Sequence, residues 1–246
     1  MTTRKLKTVI EYDGTAYRGW QSQADGRTIQ DTLEAVFSRI LNHAVRIHGS
    51  GRTDSGVHAL GQVAHLTTTS NLDLSSLQRG VNSLLPQDIL IKSIEEVEDE
   101  FHARFSARSR LYEYHIWNAE SPSVFHRPVS WWIRDRLDLD LMKTAAQTLH
   151  GSHDFTSFKG ADHEQQSAER IVFATGFRRE AEELIFSIHA NAFLRHMVRN
   201  IVGTLVDVGK KRITPEEFKA ILKGCDRCKA GLTAPAPGLF LVHVYY

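Results

Sequence analysis

Twice along this chain the apolar residues change spacing in the same order: strand, helix, strand, strand, helix, strand. In the first half Val9, Ile10 and Tyr12 form a strand-like run stopped by Asp13-Gly14. Ile29, Leu33, Val36, Phe37 and Ile40 then recur at helical spacing behind Thr28, a residue type that caps helix N-termini. Residues 45–48 and 63–68 read as two strands, Leu74, Leu77, Val81, Leu84 and Leu85 as a helix closed by Pro86, and residues 89–91 as the start of another strand. The second half repeats the order: a strand at 111–117, a helix at 141–149, and strands at 171–177 and 184–189. A helix carrying Leu194, Met197, Val198, Ile201, Val202 and Leu205 follows, then a short extra helix after Thr214-Pro215 and a closing strand at 239–245.

This order is the split βαβ unit. Its repetition predicts an α+β chain of two ferredoxin-like lobes with mainly antiparallel sheets and a central cleft. The expected division is residues 1–107 and 108–246, with loops of both halves building one site. The acidic stretch 95–100 lies at the junction and reads as a solvated connector.

Bulk properties narrow the function little. A chain of 246 residues with 41% hydrophobic side chains can bury real cores, and a net charge of +1 announces neither a nucleic-acid nor a membrane partner, so any basic surface must be local. No segment approaches the roughly 20 apolar residues of a membrane span, nor does the start resemble a secretory leader, so a cytoplasmic protein is expected. The two cysteines, Cys225 and Cys228, could be half of a zinc site or a redox pair, but no second pair accompanies them. They read as incidental thiols at a helix end.

The densest signal is Gly49-Ser50-Gly51-Arg52-Thr53-Asp54-Ser55-Gly56-Val57-His58-Ala59-Leu60-Gly61, four glycines around one Arg-x-Asp. Asp54-Ser55-Gly56 suggests an aspartic protease turn, but that chemistry needs two carboxylates sharing a proton, and a neighbouring arginine favours the ionised form. A phosphate-binding loop would need Gly-Lys-Ser/Thr, and a nucleophile elbow Gly-x-Ser-x-Gly; neither is present. Asp54 and His58 lack further metal ligands at a recognisable spacing. The bland alternative is a tight turn with Arg52 and Asp54 paired at the surface. Sites concentrate on loops of special backbone geometry, which favours a charged nucleophile or base at Asp54. Residues 101–110 mix arginines with aromatics, and Arg195 and Arg199 stand four apart, as a phosphate backbone with unstacked bases would require.

These residues match a family. Gly51-Arg52-Thr53-Asp54-Ser55-Gly56-Val57-His58-Ala59 closely resembles the signature of the TruA-type tRNA pseudouridine synthases, with Ser55 where that family usually has Ala. Further resemblance runs nearly end to end: Glu11-Tyr12-Asp13-Gly14 with Tyr17, Gly19-Trp20-Gln21, Phe101-His102-Ala103-Arg104-Phe105, Asp154-Phe155-Thr156-Ser157-Phe158, Arg195-His196-Met197-Val198-Arg199-Asn200 and Gly238-Leu239. The resemblance implies an isomerase converting uridine to pseudouridine at positions 38, 39 and 40 of the tRNA anticodon stem-loop. It implies Asp54 as the catalytic nucleophile and Tyr112 against the target base, where it could take the C5 proton. It further implies Arg199 paired with the Asp54 carboxylate, Arg52 holding the nucleotide out of its helix, and Leu239 beneath the uracil. It implies no cofactor and no metal, a homodimer, and one tRNA laid across both subunits. The carboxylate could attack the ribose or the uracil ring, or assist departure of the base. Without the resemblance, Tyr112 and Leu239 would read as core.

Overall fold

The computed structural model describes residues 3–24, 26–160 and 167–246. The chain divides into two compact units, residues 1–108 with 240–246 and residues 109–239. Both mix helices with a mostly antiparallel sheet, as the repeated order predicts.

The first unit contains β1 (Arg4–Tyr12), α1 (Ile29–Leu41), β2 (His48–Gly49), β3 (His58–Thr68), α2 (Leu74–Leu84) and β4 (Ile89–Val97). β1 lies between β4 and β3, antiparallel to both. Its burial alternates, so Leu6, Ile10 and Tyr12 face the core. Ile29, Leu33 and Phe37 of α1 and Leu77 and Val81 of α2 meet that face at helical spacing, whereas Leu84, which the pattern had placed among them, is exposed. Thr28 caps α1 by accepting the Asp31 N–H, and Asp73 caps α2 in the same way through Ser76. Glu95 and Glu96 are not a loose connector: they lie on β4, with salt bridges to Lys7 (2.7 Å) and Arg4 (3.5 Å) of β1.

The largest difference from the sequence reading is at the edge of β3. β2 is only two residues long, pairing His48 and Gly49 with His65 and Ala64. Beyond it the glycine-rich loop leaves the sheet, and the vacated edge is taken by Phe240 and Leu241 of the closing strand, parallel to His58 and Ala59. Residues 240–246 therefore pack in the first unit, not in the second half where the element order had put them. The reason is that a β3 edge left unpaired would leave backbone N–H and C=O groups without partners.

The second unit contains β5 (Ser109–Trp117), β6 (Trp131–Trp132), α3 (Leu139–Gln147), β7 (Gly151–Asp154), β8 (Glu169–Glu180), β9 (Glu183–Ala190), α4 (Met197–Gly209) and α5 (Pro215–Gly224); β10 (Leu239–Tyr245) begins at its end. Its sheet runs β5-β9-β8-β7, with β6 beside β5. The two short strands β6 and β7 carry too few residues to show alternation in sequence. α4 is buried almost all round, under α3, α5 and the segment that follows α5. It starts at Met197 rather than before Leu194, because His196 is left-handed (φ 61°) and interrupts the helical path. Arg195 and Arg199 are consequently not i, i+4 neighbours on one helix. α5 has a capping box of Thr214 and Glu217 with Pro215 in its first turn.

Candidate active site

Asp54 is half-buried on the loop between β2 and β3, and that loop is braced from several sides. Below it, the buried Gln62 of β3 accepts a hydrogen bond from Ser50 Oγ (2.7 Å) and donates one to the Gly51 carbonyl (2.9 Å), replacing the strand ladder that β2 does not continue. On its flank runs the segment Asp13–Trp20. The Trp20 N–H donates to the Thr53 carbonyl (3.0 Å), Tyr12 Oη and Thr53 Oγ1 share a 2.8 Å bond, and the Ser55 hydroxyl and Gly56 N–H both donate to the Tyr17 carbonyl (3.1 and 3.4 Å). The Val57 N–H closes the turn on the Asp54 carbonyl (3.2 Å).

This contact needs glycine, chiefly in the flanking segment. A Cβ on Gly14 would stand 2.0 Å from the Val57 carbonyl oxygen, and one on Gly19 2.6 Å from that of Thr53, where φ is also +87°. Gly51, inside the loop, faces open space. The other glycines of the loop are needed too: a Cβ on Gly49 would stand 2.6 Å from the Trp20 ring, one on Gly61 would stand 2.4 Å from the Val242 carbonyl oxygen, and Gly56 has φ +76°.

The flanking segment is fixed in turn. Tyr17 donates its hydroxyl to Asp88 (2.6 Å), and burial, with that carboxylate, drives the phenol pKa far upward, so it remains a donor. The Gly14 N–H donates to His58 Nδ1 (3.1 Å), and the His58 ring stacks on Phe240 (4.7 Å between centroids). Burial acts to raise the Asp13 carboxyl, but hydrogen bonds from Thr15 outweigh it and hold the group below its ordinary value.

Arg52, two residues before Asp54, is exposed, and its hydrogen bond among the described residues goes from Nε to Gln21 Oε1 (3.0 Å). The surface pair with Asp54 that sequence left open as the bland alternative is not what holds it.

In the second unit Tyr112 is buried on β5 opposite Ile188, its ring edge-on to Phe193 (4.9 Å). Tyr112, Tyr114 and Ile116 share the buried face, as the alternation predicts. Arg199, in the first turn of α4, donates Nε to the Ala234 carbonyl (2.7 Å) and its own carbonyl accepts the Ala234 N–H (3.1 Å). One residue on, the buried Tyr114 hydroxyl donates to the Pro235 carbonyl (2.7 Å); burial drives its pKa far upward against the opposing charge of Arg199. Leu239, buried, ends this strap.

Upstream the strap is tied to α4 by the fully buried Asn200, whose carbonyl accepts from Thr233 (2.6 Å) and Arg227 (3.1 Å) while its amide donates to the Phe158 carbonyl (2.7 Å). Sequence reasoning gave no role to Tyr114, Asn200 or Arg227; an Asn and a Thr among the apolar residues of α4 were the available sign. Asp154 and the exposed Cys225 are hydrogen-bonded, and burial with the Asp154 charge raises the thiol pKa. Among the described residues no group of three or more His, Cys, Asp or Glu is arranged to hold a metal ion, and no helix is long and apolar enough to cross a membrane.

A carboxylate on a braced loop, two residues from an exposed guanidinium bound through its Nε alone, suits covalent or electrostatic work on an anionic polymer. Comparison with known proteins names the class. Residues 8–106 and 145–246 match the family described as tRNA pseudouridine synthase. A tRNA pseudouridine synthase A of Geotalea uraniireducens is 42% identical over 243 residues, covering 99% of this chain and all of that one. Proteins of the same description from Acetivibrio thermocellus (41% identical, 99% of this chain and 100% of that one) and Rhodospirillum rubrum (42%, 98% and 87%) agree along similar lengths. The chain belongs to the tRNA pseudouridine synthase family. It is an isomerase that converts uridine in tRNA to pseudouridine.

Proposed function

We propose that this enzyme modifies uridines 38, 39 and 40 of the anticodon stem-loop, in the cytoplasm and as a homodimer, with Asp54 as nucleophile. The observation that carries the choice of Asp54 is its loop: a half-buried carboxylate on backbone cross-braced by Gln62, Tyr12, Trp20 and Tyr17. Such bracing fixes a reacting group without spending substrate binding energy on ordering it. The family signature around Asp54 supports the same assignment.

The isomerisation breaks the bond from ribose C1′ to uracil N1, turns the ring, joins C1′ to C5 and releases the C5 proton. No electrons are gained or lost overall. The target base has to leave the stack to be reached and has to be retained while detached. Asp54 attacks the ribose or the ring, or stabilises charge as the base departs. Tyr112 lies against the base and takes the C5 proton, Leu239 lines the apolar floor, Arg199 pairs with the Asp54 carboxylate, and Arg52 holds the nucleotide out of its helix. These roles follow the family resemblance residue by residue. Mass mapping of pseudouridine in unmodified tRNA treated with the enzyme tests the positions: modification at 38, 39 and 40 is expected, and modification confined to another arm would overturn the assignment. Sedimentation of the protein alone, giving twice the chain mass, tests the dimer.

A further inference from the structure

Arg52 is exposed, and exposed arginines ordinarily sample many rotamers; its single hydrogen bond leads inward through a chain of amides. Gln21 Oε1 accepts from Arg52 Nε (3.0 Å), and Gln21 Nε2 donates to Gln30 Oε1 (2.9 Å). Gln30, buried at the start of α1, donates Nε2 to the Ile47 carbonyl (3.0 Å) and to Glu34 Oε1 (2.9 Å).

The direction of this chain is fixed at its inner end. A backbone carbonyl can only accept, so the Ile47 contact forces Gln30 to present nitrogen there and oxygen on its other side. The Ser22 N–H, which can only donate, points at that same Gln30 oxygen (3.0 Å). Gln21 must then turn its nitrogen to Gln30 and its oxygen to Arg52. Flipping either amide would set donor against donor or acceptor against acceptor. The outer end of the chain is therefore an acceptor at a set place, and it takes Nε; neither terminal nitrogen of this exposed guanidinium hydrogen-bonds to another described residue, which leaves both for a phosphodiester.

We propose that Gln21 is a positioning residue, holding the Arg52 guanidinium ready for the phosphate beside the target uridine. The proposal rests on the reading of Arg52 given above. Gln21 touches no reacting atom and acts through Arg52 alone.

A double-mutant cycle on the full-length enzyme with unmodified tRNA tests it, using Gln21→Met, which keeps the side chain's length and removes the acceptor, and Arg52→Ala. Gln21→Met should lower kcat by about tenfold, the order expected for losing a hydrogen bond to a charged group. Its KM for tRNA should stay within about twofold, since phosphates elsewhere carry most of the affinity. In the Arg52→Ala background the same substitution should change kcat by less than about twofold, because the group it orients is gone. An equal fall in both backgrounds would mean that Gln21 matters through the fold, and an unchanged kcat in the single variant would mean that Arg52 needs no orienting; either overturns the proposal. Full activity of Arg52→Ala by itself would instead remove the premise that Arg52 works on the nucleotide.

Discussion

The Asp54 loop and the strap from Ala230 to Leu239 are both irregular segments that present functional side chains, and they are held by backbone and side-chain contacts in different balance. The loop is fixed by backbone lying on backbone, with Gly14 and Gly19 letting the two chains meet. The strap leans more on long side chains reaching to its carbonyls, Arg199 to Ala234, Tyr114 to Pro235 and Arg227 to Ala230 and Gly231, although Gly203 of α4 also lets the Leu232 carbonyl lie against it. A backbone contact fails when an atom is added. A side-chain tether fails when one is removed.

The difference predicts a hierarchy. Gly14→Ala puts a carbon 2.0 Å from the Val57 carbonyl oxygen, so the loop must move, and a displacement of about 1 Å at a reacting group can cost on the order of a hundredfold in rate. The expected result is that loss in kcat with a far-ultraviolet dichroism spectrum like the parent's. Parental activity would show that the loop tolerates the shift and that its bracing is incidental. Asn200→Ala is the reverse experiment. It strands the half-buried partners Thr233 and Arg227, and should cost about 2 kcal/mol in urea unfolding with a smaller loss of rate. If Asn200→Ala costs more rate than Gly14→Ala, the two segments are ranked wrongly.

The smallest effect is one of pH. β3, which carries the loop's end, also carries His65, whose imidazole is pushed down to about 4 by burial and by the charges of His102, His48 and Lys5. The rings of His48, His65 and His102 lie 4.6 to 5.9 Å apart, and His65 Nδ1 accepts the Ala103 N–H (3.1 Å). A folded pKa below the unfolded value of about 6.5 means that the unfolded chain takes up the proton first. The stability due to the neutral ring is complete above that value and is lost as pH falls towards 4. His65→Asn, which keeps an acceptor for Ala103, should therefore show a smaller drop in Tm between pH 7.5 and pH 5 than the parent. An equal drop would place the acid sensitivity elsewhere.

The sequence disclosed what periodicity encodes and hid what is made by single contacts. β1, α1, α2 and β5 were legible because one face of each is apolar at a regular spacing. β2 was not, because beyond the Ser50 N–H bond to the Val63 carbonyl Gln62 stands in for the ladder, and no pattern records a side chain replacing a strand. The place of β10 was misread because topology in the first unit, not chain order, decides which edge it fills. At the site, Asp54 stood out through its glycines and charges, while Gln21 and Gln30 did not. A glutamine at a helix start looks solvent-facing until the burial of Gln30 is known.

The central claim is that Asp54 is the reacting carboxylate of a uridine isomerase, and release of tritium from tRNA labelled at uracil C5 tests it most directly, since that proton leaves only when the new carbon bond forms. Asp54→Ala should release none above background while binding tRNA within about threefold of the parent, because the backbone contacts of the RNA are unchanged. Release by Asp54→Ala at the parental rate would contradict the account.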